Sequence, residues 1–481
     1  MCDSKKGRVL LINCNKIKPL VAPIGLDYLA SSLKGAGHDV DIIDLSFHSD
    51  SGPAFGEYFE KKKVDVVGVT VRNTDDCYFA SQEFFIPKIK EVVHEIKKLT
   101  NAPVVLGGCG FSIMPAKILE FCQADFGIKG EGEKAFSLLL SRLLDGQDFS
   151  DIPGLVYPSG GRYVLNEPDF LDLDKASFFE RGNIDNSKYF REGGQGNIET
   201  KRGCNQSCIY CADPVAKGHK IRLRSPQNVI AELESLYAKG VDCFHFCDSE
   251  FNNPISHAVS ICKELVSSGL SEKIRWYTYA CPVPFPEDFA FLMKRAGCAG
   301  IDFGVDSGDE AMLQVLGRDF SVEETVKTAE SCHKAGIIFM YELLLGGPGE
   351  TKESAKRTIE LMKKISPARV GLSIGIRIYP ETKLAEMITK NGAMSENPSL
   401  FGCVDGNEDF LKPVFYLDSN VAGDISAFLA DLIGDDKRFF FANPDNKDQN
   451  YNYNENEALV EAVKKGYRGA YWDILRRLSE D

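Results

Sequence analysis

No apolar run in the 481 residues approaches the ~20 needed to cross a bilayer, so no membrane-spanning helix is expected. The opening Met-Cys-Asp-Ser-Lys-Lys-Gly lacks an apolar signal core and leads straight into a strand-like run, which makes a reducing cytoplasm the expected home. Basic residues are in deficit, 56 Lys and Arg against 70 Asp and Glu, for a formal net charge of −14. Proteins that follow a phosphate backbone carry a basic footprint, so nucleic acid, tRNA included, is not the expected partner. No small basic β-barrel module is evident either. Cysteine, by contrast, is plentiful: in a chain of this length without a secretion signal, fifteen of them read as free core thiols and metal ligands rather than disulfides. With 43% hydrophobic residues and a length beyond one usual core, two domains and a small third are expected.

Three of the cysteines stand close together. Cys204, Cys208 and Cys211 follow one another in a C-x3-C-x2-C spacing between Lys201 and Asp213. Thiolate is the soft ligand that iron–sulfur clusters select, and a four-iron cube held by three cysteines keeps one iron open to a small molecule. A zinc knuckle or buried structural thiols would use the same residue type. Structural zinc closes with four ligands, however, and neither His219 nor another cysteine stands at the usual spacing. Cys243 and Cys247 repeat the C-x3-C spacing inside an apolar strand-like segment, where buried thiols are the commoner reading.

With Tyr210 just before the third cysteine and a short strand-like lead-in from Gly196 to Thr200, the triplet resembles the radical S-adenosylmethionine (SAM) superfamily. The resemblance implies a [4Fe-4S] cluster on Cys204, Cys208 and Cys211, with SAM chelated at the open iron.

Ahead of the triplet, the continuous apolar run from Arg8 to Asn13 is the form of a parallel strand buried on both faces. Leu26, Leu29, Ala30 and Leu33 then recur at helical spacing, and further strand-like runs at 39–44, 64–70, 103–107 and 124–129 are separated by helical material. This alternation predicts an open, doubly wound, Rossmann-like α/β sheet, whose ligands sit outside the carboxyl ends of the strands. The glycine stretches 107–112 and 130–133 fall there, although a tight turn also needs glycine. Placed before the triplet, residues 8–145 resemble the cobalamin (B12)-binding domain of one large class of the superfamily. That implies a cobalamin surface drawn from Pro23, Gly25, Thr70, Arg72, Gly107, Gly108, Ser112, Gly130, Glu131 and Gly132. The Asp-x-His-x-x-Gly motif that ligates cobalt from below in other cobalamin enzymes is absent, and His38 and His48 do not fit it. Cobalamin bound without that histidine and a scaffold that has lost its cofactor both agree with this.

From 152 to 191 the pattern turns short and broken, as in a hairpin and linker. Strand-like and helical stretches then alternate six times, predicting a partial (β/α)6 barrel of TIM type with its chemistry at the carboxyl ends of the strands. By resemblance, Tyr210 lies beside SAM, Asp248 or Glu250 faces its amino group, Asp306 or Ser307 its ribose hydroxyls, and Leu345, Gly346 and Gly347 its adenine. Arg222 and Arg224 are candidates for its carboxylate, which guanidinium binds bidentately. Loop acids also cap helices, so each role has a structural alternative. Tyr279 and Cys281 are candidates for the substrate pocket, with no catalytic residue assigned. The expected domains are 1–150, a linker and hairpin at 151–193, the barrel at 194–394 and a small, mostly helical extension at 395–481. Within the extension, 435–456 reads as an exposed linker, and 458–478 carries an apolar stripe of a packed tail or a cover for the barrel.

The resemblance implies reductive cleavage of SAM to a 5′-deoxyadenosyl radical, with a flavodoxin- or ferredoxin-type electron donor. It also implies methyl transfer by way of cobalamin to an unreactive carbon, or a phosphinate phosphorus, of a small molecule. A cyclisation, ring contraction, oxidation or carbon–carbon bond formation on the same architecture is the alternative. A non-catalytic iron–sulfur carrier or sensor is a third reading, and a monomer or weak homodimer is expected.

Overall fold

The computed structural model describes residues 5–176, 180–390, 392–441 and 456–480. The first unit is a seven-stranded sheet of order β2-β1-β3-β4-β5-β6-β7. Its strands are β1 (Arg8–Asn13), β2 (Asp39–Asp44), β3 (Val66–Thr70), β4 (Val104–Gly107), β5 (Phe126–Ile128), β6 (Leu155–Ser159) and β7 (Arg162–Leu165). The first five are parallel, and β6 and β7 add antiparallel at the edge. The apolar run in β1 is explained by its two covered faces: Leu10 and Ile12 enter one core, Val9 and Leu11 the other. The hairpin expected within the linker is therefore an edge of this first sheet. Its strands extend the sheet by backbone pairing, which a hydrophobic pattern does not encode.

The second unit begins at β8 (Gly196–Ile198). The antiparallel pair β9 (Lys201–Arg202) and β10 (Arg222–Leu223) brackets the cysteine run. Parallel strands β11 (Cys243–Phe246), β12 (Arg275–Ala280), β13 (Cys298–Asp306), β14 (Ile338–Leu345) and β15 (Arg369–Ile374) follow. Strands β16 (Ile376–Arg377), β17 (Leu400–Gly402) and β18 (Val414–Tyr416) form a small antiparallel sheet. Strand β19 (Phe439–Phe441) returns to pair parallel with β15, giving the order β19-β15-β14-β13-β12-β11-β8. The partial barrel thus has its six expected strands plus a seventh, lent by an extension that also contains β17 and β18. Three phenylalanines after a charged run carry too short a period to announce a strand. Of the linker expected at 435–456, residues 442–455 lie outside the described residues.

Side chains on the barrel strands alternate by physical character. Phe244, Phe246, Trp276, Phe303 and Phe339 are buried against the surrounding helices, while the opposite face carries His245, Tyr277, Tyr279, Asp302 and Glu342 in register. This second face lines the lumen. The apolar stripe at 458–478 belongs to helices Glu457–Lys464 and Tyr471–Leu478, whose Leu459, Val463 and Ile474 are buried in the main core. The latter helix closes the amino end of the barrel. Asp473 accepts a hydrogen bond from Tyr277 at 2.8 Å, and a Cβ on Gly300 would stand 3.0 Å from the Trp472 ring.

Buried ion pairs lock the two units together. Glu232 of helix Pro226–Tyr237 accepts from Tyr28 of helix Ile24–Gly35 at 2.8 Å, from Arg181 at 3.1 Å and from Arg224 at 2.7 Å. Arg181 also reaches Asp27 at 3.0 Å. A second clamp joins Arg377 to Asp75 at 3.0 Å, both 1% exposed. Among the described residues, no helix is long and apolar enough to cross a membrane.

Candidate functional site

The cysteine run leaves β9, crosses the carboxyl end of the barrel and returns to β10. Its backbone is pinned at several points: Cys204 N–H donates to Gly218 O at 3.1 Å, Cys211 N–H to Cys208 O at 3.3 Å and Ile209 N–H to Leu316 O at 3.0 Å. Gly317 has φ +76°, and a Cβ there would meet Ser207 O at 2.4 Å, so only glycine lets the run lie so close. Cys204 is buried, and Cys208 and Cys211 are half-buried. Burial pushes all three thiols up, Cys204 to about 11, so metal uptake must displace protons.

Around them sit polar groups supplied by the ends of β11 and β13 and by Arg318, just past helix Glu310–Leu316. Arg318 donates from Nη1 to Cys208 Sγ at 2.8 Å, pairs through Nε with Asp306 Oδ2 at 3.4 Å and donates to Gly304 O. The Tyr210 hydroxyl donates to the same Asp306 oxygen at 2.6 Å. Asp306 holds a left-handed backbone, φ +64°, where a non-glycine residue is strained and its carboxylate is turned toward Arg318 and Tyr210. Glu250 lies in the same pocket. Its carboxyl is raised by burial against the opposing pull of Arg318, and its buried Oε2 has no hydrogen-bond partner.

These observations separate the sequence-nominated residues. Asp248 is consumed by the backbone, accepting from Thr200 N–H at 2.8 Å and Thr200 Oγ1 at 2.5 Å. Ser307 is fully buried and turned to Thr358. Arg222 pairs with Glu131 and stacks over Phe170, while Arg224 pairs with Glu232. Neither arginine reaches the cysteines; the guanidinium that does is Arg318. Sequence reasoning missed it, although it stands directly after the helix-ending Gly317. Leu345 is buried, and Gly346, with φ +92°, holds Asp418 N–H through its carbonyl at 2.9 Å. Gly347 follows it against Leu316 and Met312. Tyr279 is 43% exposed on the lumen and packs its ring on His245 at 4.6 Å. Cys281 is 1% exposed and packs with Leu313 and Phe320 in a small apolar cluster, as a core thiol does.

The carboxyl edge of the first sheet is built differently. Ser112 donates to Gly108 O at 2.9 Å and accepts from Gly130 N–H at 2.9 Å, tying the two glycine loops together. Glu131 is held by Arg202 at 3.1 Å, by Arg222 at 2.5 Å and by Leu171 N–H at 2.7 Å. Gly132 begins helix Gly132–Asp145. Gly25 faces open space, as does Gly107, where a Cβ would meet only Ile128 O at 3.9 Å. Pro23 caps helix Ile24–Gly35. Thr70 and Arg72 leave β3 beside a cavity of about 440 Å³ that Cys14 also lines. The strand order reverses between β1 and β3, so this cavity lies at the switch point where open α/β sheets take ligands.

The two edges face one chamber. Cys109 of the first edge and Cys247 of the second are both exposed, yet burial pushes both thiols up, Cys247 to about 11, and both feel Glu199 and Lys217. Arg202 and Arg222, on either side of the cysteine run, supply the ion pairs that bring Glu131 to it.

The donor sets fit the implied groups. Among the described residues no three ligands already stand as a closed metal site. What fits is the chemistry of the set, three neighbouring thiols of which Cys204 and Cys208 both act on Cys211, the soft donors that a four-iron cube with an open corner takes. The first edge, open above Gly25 and Gly107, suits a broad planar macrocycle approached by backbone.

Comparison with known proteins agrees with this geometry. The model of the radical SAM superfamily matches residues 198–362, and that of the B12 binding domain matches residues 10–140. Tryptophan 2-C-methyltransferase of Streptomyces laurentii is 31% identical, over 97% of this chain and 96% of that protein. The solved structure of the radical SAM methyltransferase TsrM from Kitasatospora setae, with tryptophan substrate and a SAM analogue bound, superposes with a TM-score of 0.93 at 31% identity, covering 99% of both chains. A second TsrM structure, with cobalamin and a [4Fe-4S] cluster, gives a TM-score of 0.91 at 30% identity, over 99% of this chain and 98% of that one.

Proposed function

Because the chain belongs to the cobalamin-dependent radical SAM methyltransferases, we propose that it moves a methyl group from SAM to a carbon atom of a small molecule held in the barrel lumen. The observation that carries this reading is the shared chamber, with the cysteine pocket and the glycine loops facing each other across the Arg202 and Arg222 pairs to Glu131. When bound, SAM and cobalamin supply the methyl-transfer chemistry and the cluster supplies one-electron chemistry. A carbon acceptor is favoured over phosphorus by the relative whose name gives carbon 2 of tryptophan as the site of methylation.

The chain's own residues bind, orient and exclude water. Cys204, Cys208 and Cys211 hold the cluster. Glu250 is oriented for the SAM amino group, and Arg318, rather than Arg222 or Arg224, for its carboxylate. Asp306, fixed by Tyr210, meets the ribose, and the backbone of Leu345 to Gly347 meets the adenine. On the opposite edge Pro23, Gly25, Thr70, Arg72, Gly107, Gly108 and the turn at Gly130 to Gly132 cradle the corrin, while Ser112 and Glu131 stiffen the loops from behind. Tyr279 forms part of the substrate wall. Every described cysteine is a free thiol, which supports a reducing compartment and an external flavodoxin- or ferredoxin-type donor.

The test is anaerobic incubation of cluster- and cobalamin-loaded protein with methyl-labelled SAM, a reductant and indole- or phenyl-bearing amino acids and amines. Label in a carbon-methylated product is the expected result. A substrate consumed with no label gained would overturn the reading in favour of cyclisation or oxidation. A cluster whose spectrum ignores SAM would favour the electron-carrier reading. Quantifying 5′-deoxyadenosine in the same mixture separates a radical route from one that leaves SAM's ribose carbon untouched.

A further inference from the structure

The barrel lumen holds two carboxyl groups that the proposed cofactor roles do not use. Asp302 on β13 and Glu342 on β14 share the lumen face, Asp302 opposite Met340 and Glu342 opposite Gly304, so they stand one rung apart on neighbouring strands. Asp302 is 3% exposed, and its buried Oδ1 has no hydrogen-bond partner. The charges acting on the pair are acidic: Glu342 acts on Asp302, and Asp306 on Glu342. Among the described residues neither acid has an ion-pair partner. Folding does not leave such groups buried without cause, since an unpaired buried carboxyl is costly unless a ligand completes it.

Three further features point to a ligand. A Cβ on Gly304, the residue between the acids on this face, would be in ordinary contact with Arg318 Nη2 at 3.6 Å and with nothing else within 4 Å, so the space beside the acids is bordered by that guanidinium alone. Tyr279, opposite Asp302 in register and 43% exposed, adds an aromatic wall backed by His245. Burial holds that imidazole down at about 4, so it contributes no positive charge. The floor is closed by the Tyr277–Asp473 hydrogen bond, and the top opens on the cysteine pocket through Asp306 and Arg318.

We propose that Asp302 and Glu342 form a binding site for a cationic nitrogen, so that the substrate is an amine- or amino-acid-type small molecule whose ammonium group anchors it beneath the SAM site. This rests on the lumen being the substrate chamber of the methyltransferase. A carboxylate pair binds an ammonium by charge-assisted hydrogen bonds, and the Tyr279 face adds attraction to the same charge. Burial, followed by the neighbouring acids, pushes both carboxyls up, Glu342 to about 7, so an arriving cation relieves an electrostatic cost already present in the fold.

The proposal is tested by binding to cluster- and cobalamin-loaded protein, with no turnover needed. The probes are 2-phenylethylamine, tryptamine and L-tryptophan, against the neutral isosteres 2-phenylethanol and indole-3-ethanol. In wild type at least one amine binds and its alcohol isostere does not. D302N and the more accessible E342Q each weaken amine binding roughly tenfold or more, and both variants keep or gain thermal stability, because each removes an unpaired acid. Equal binding of the alcohols, unchanged amine affinity in both variants, no binding by any of the amines, or a loss of stability in both variants would overturn the site. Labelled methyl transfer to an acceptor without a cationic nitrogen would also sink it, yet leave the methyltransferase reading standing. Amine binding lost in both variants, with no label ever transferred, would do the reverse.

Discussion

The two carboxyl edges that meet in the chamber are built on opposite rules. At the edge of the first sheet the polar side chains of the two glycine loops are already satisfied within the protein: Ser112 joins the loops, and Glu131 is gripped by two arginines and a backbone N–H. What it offers a ligand is backbone and open space above glycine. At the barrel edge, polar atoms remain unsatisfied after folding, Glu250 Oε2 at the cysteine pocket and Asp302 Oδ1 below it. A macrocycle held over a large area can be recognised by shape and by backbone approach. A small charged molecule has little area to offer, so its recognition falls to a few unsatisfied buried groups.

Four substitutions would break or sharpen that contrast. The largest effect is expected from Cys208→Ala, which removes a thiolate and frees Arg318. Iron and sulfide content should fall to near zero and methyl transfer should be abolished, while corrin retention, measured by absorbance after gel filtration, stays at the wild-type level. Loss of the corrin as well would mean that the edges are not independent.

Next comes Glu232→Gln, which acts on the clamp between the edges. It removes the carboxylate that Arg181 and Arg224, both almost wholly buried, share, although Arg181 keeps Asp27. A cost of about 3–5 kcal/mol is expected, read as a lower urea midpoint, with the two units unfolding in separate steps where wild type unfolds in one. An unchanged midpoint would mean that the network is not what holds the units together.

The smallest effect distinguishes two neighbouring glycines of the first edge. Gly108 has φ +107°, and a Cβ there would lie 2.7 Å from Val71 O, whereas one on Gly107 would meet nothing closer than 3.9 Å. Gly108→Ala should therefore cost ~1–3 kcal/mol of stability. Gly107→Ala should cost only about 0.5 kcal/mol, yet weaken corrin binding by intruding on the open surface. Equal stability losses would reduce the glycine loop to a turn with no cradle role.

How much of this was legible in the sequence differs between the same two regions. The cysteine spacing and the glycine stretches are local, and their positions were readable because a loop of a few residues carries its whole signal. The β1 run announced a strand buried on both faces, and it is one. The choice among Asp248, Glu250, Asp306 and Ser307 was not readable, because all four stand at or just after strand ends and all are polar. Only folding turned Asp248 onto the Thr200 backbone and Ser307 onto Thr358, leaving Glu250 and Asp306 for the pocket. Arg222 and Arg224 had the right chemistry for a carboxylate and found carboxylates, but those of Glu131 and Glu232.

By itself, then, the sequence determined the superfamily, the cysteine triplet with its spacing, the two α/β units and their order, because each rests on short-range spacing or on periodicity along one strand or helix. Tertiary structure alone decided that Arg318 reaches Cys208 across 110 residues, that β19 completes the barrel sheet, and that Asp302 and Glu342 share an uncompensated lumen. Those facts depend on which strands become neighbours and in what register, and on which charges are left without a partner once all the others have found one.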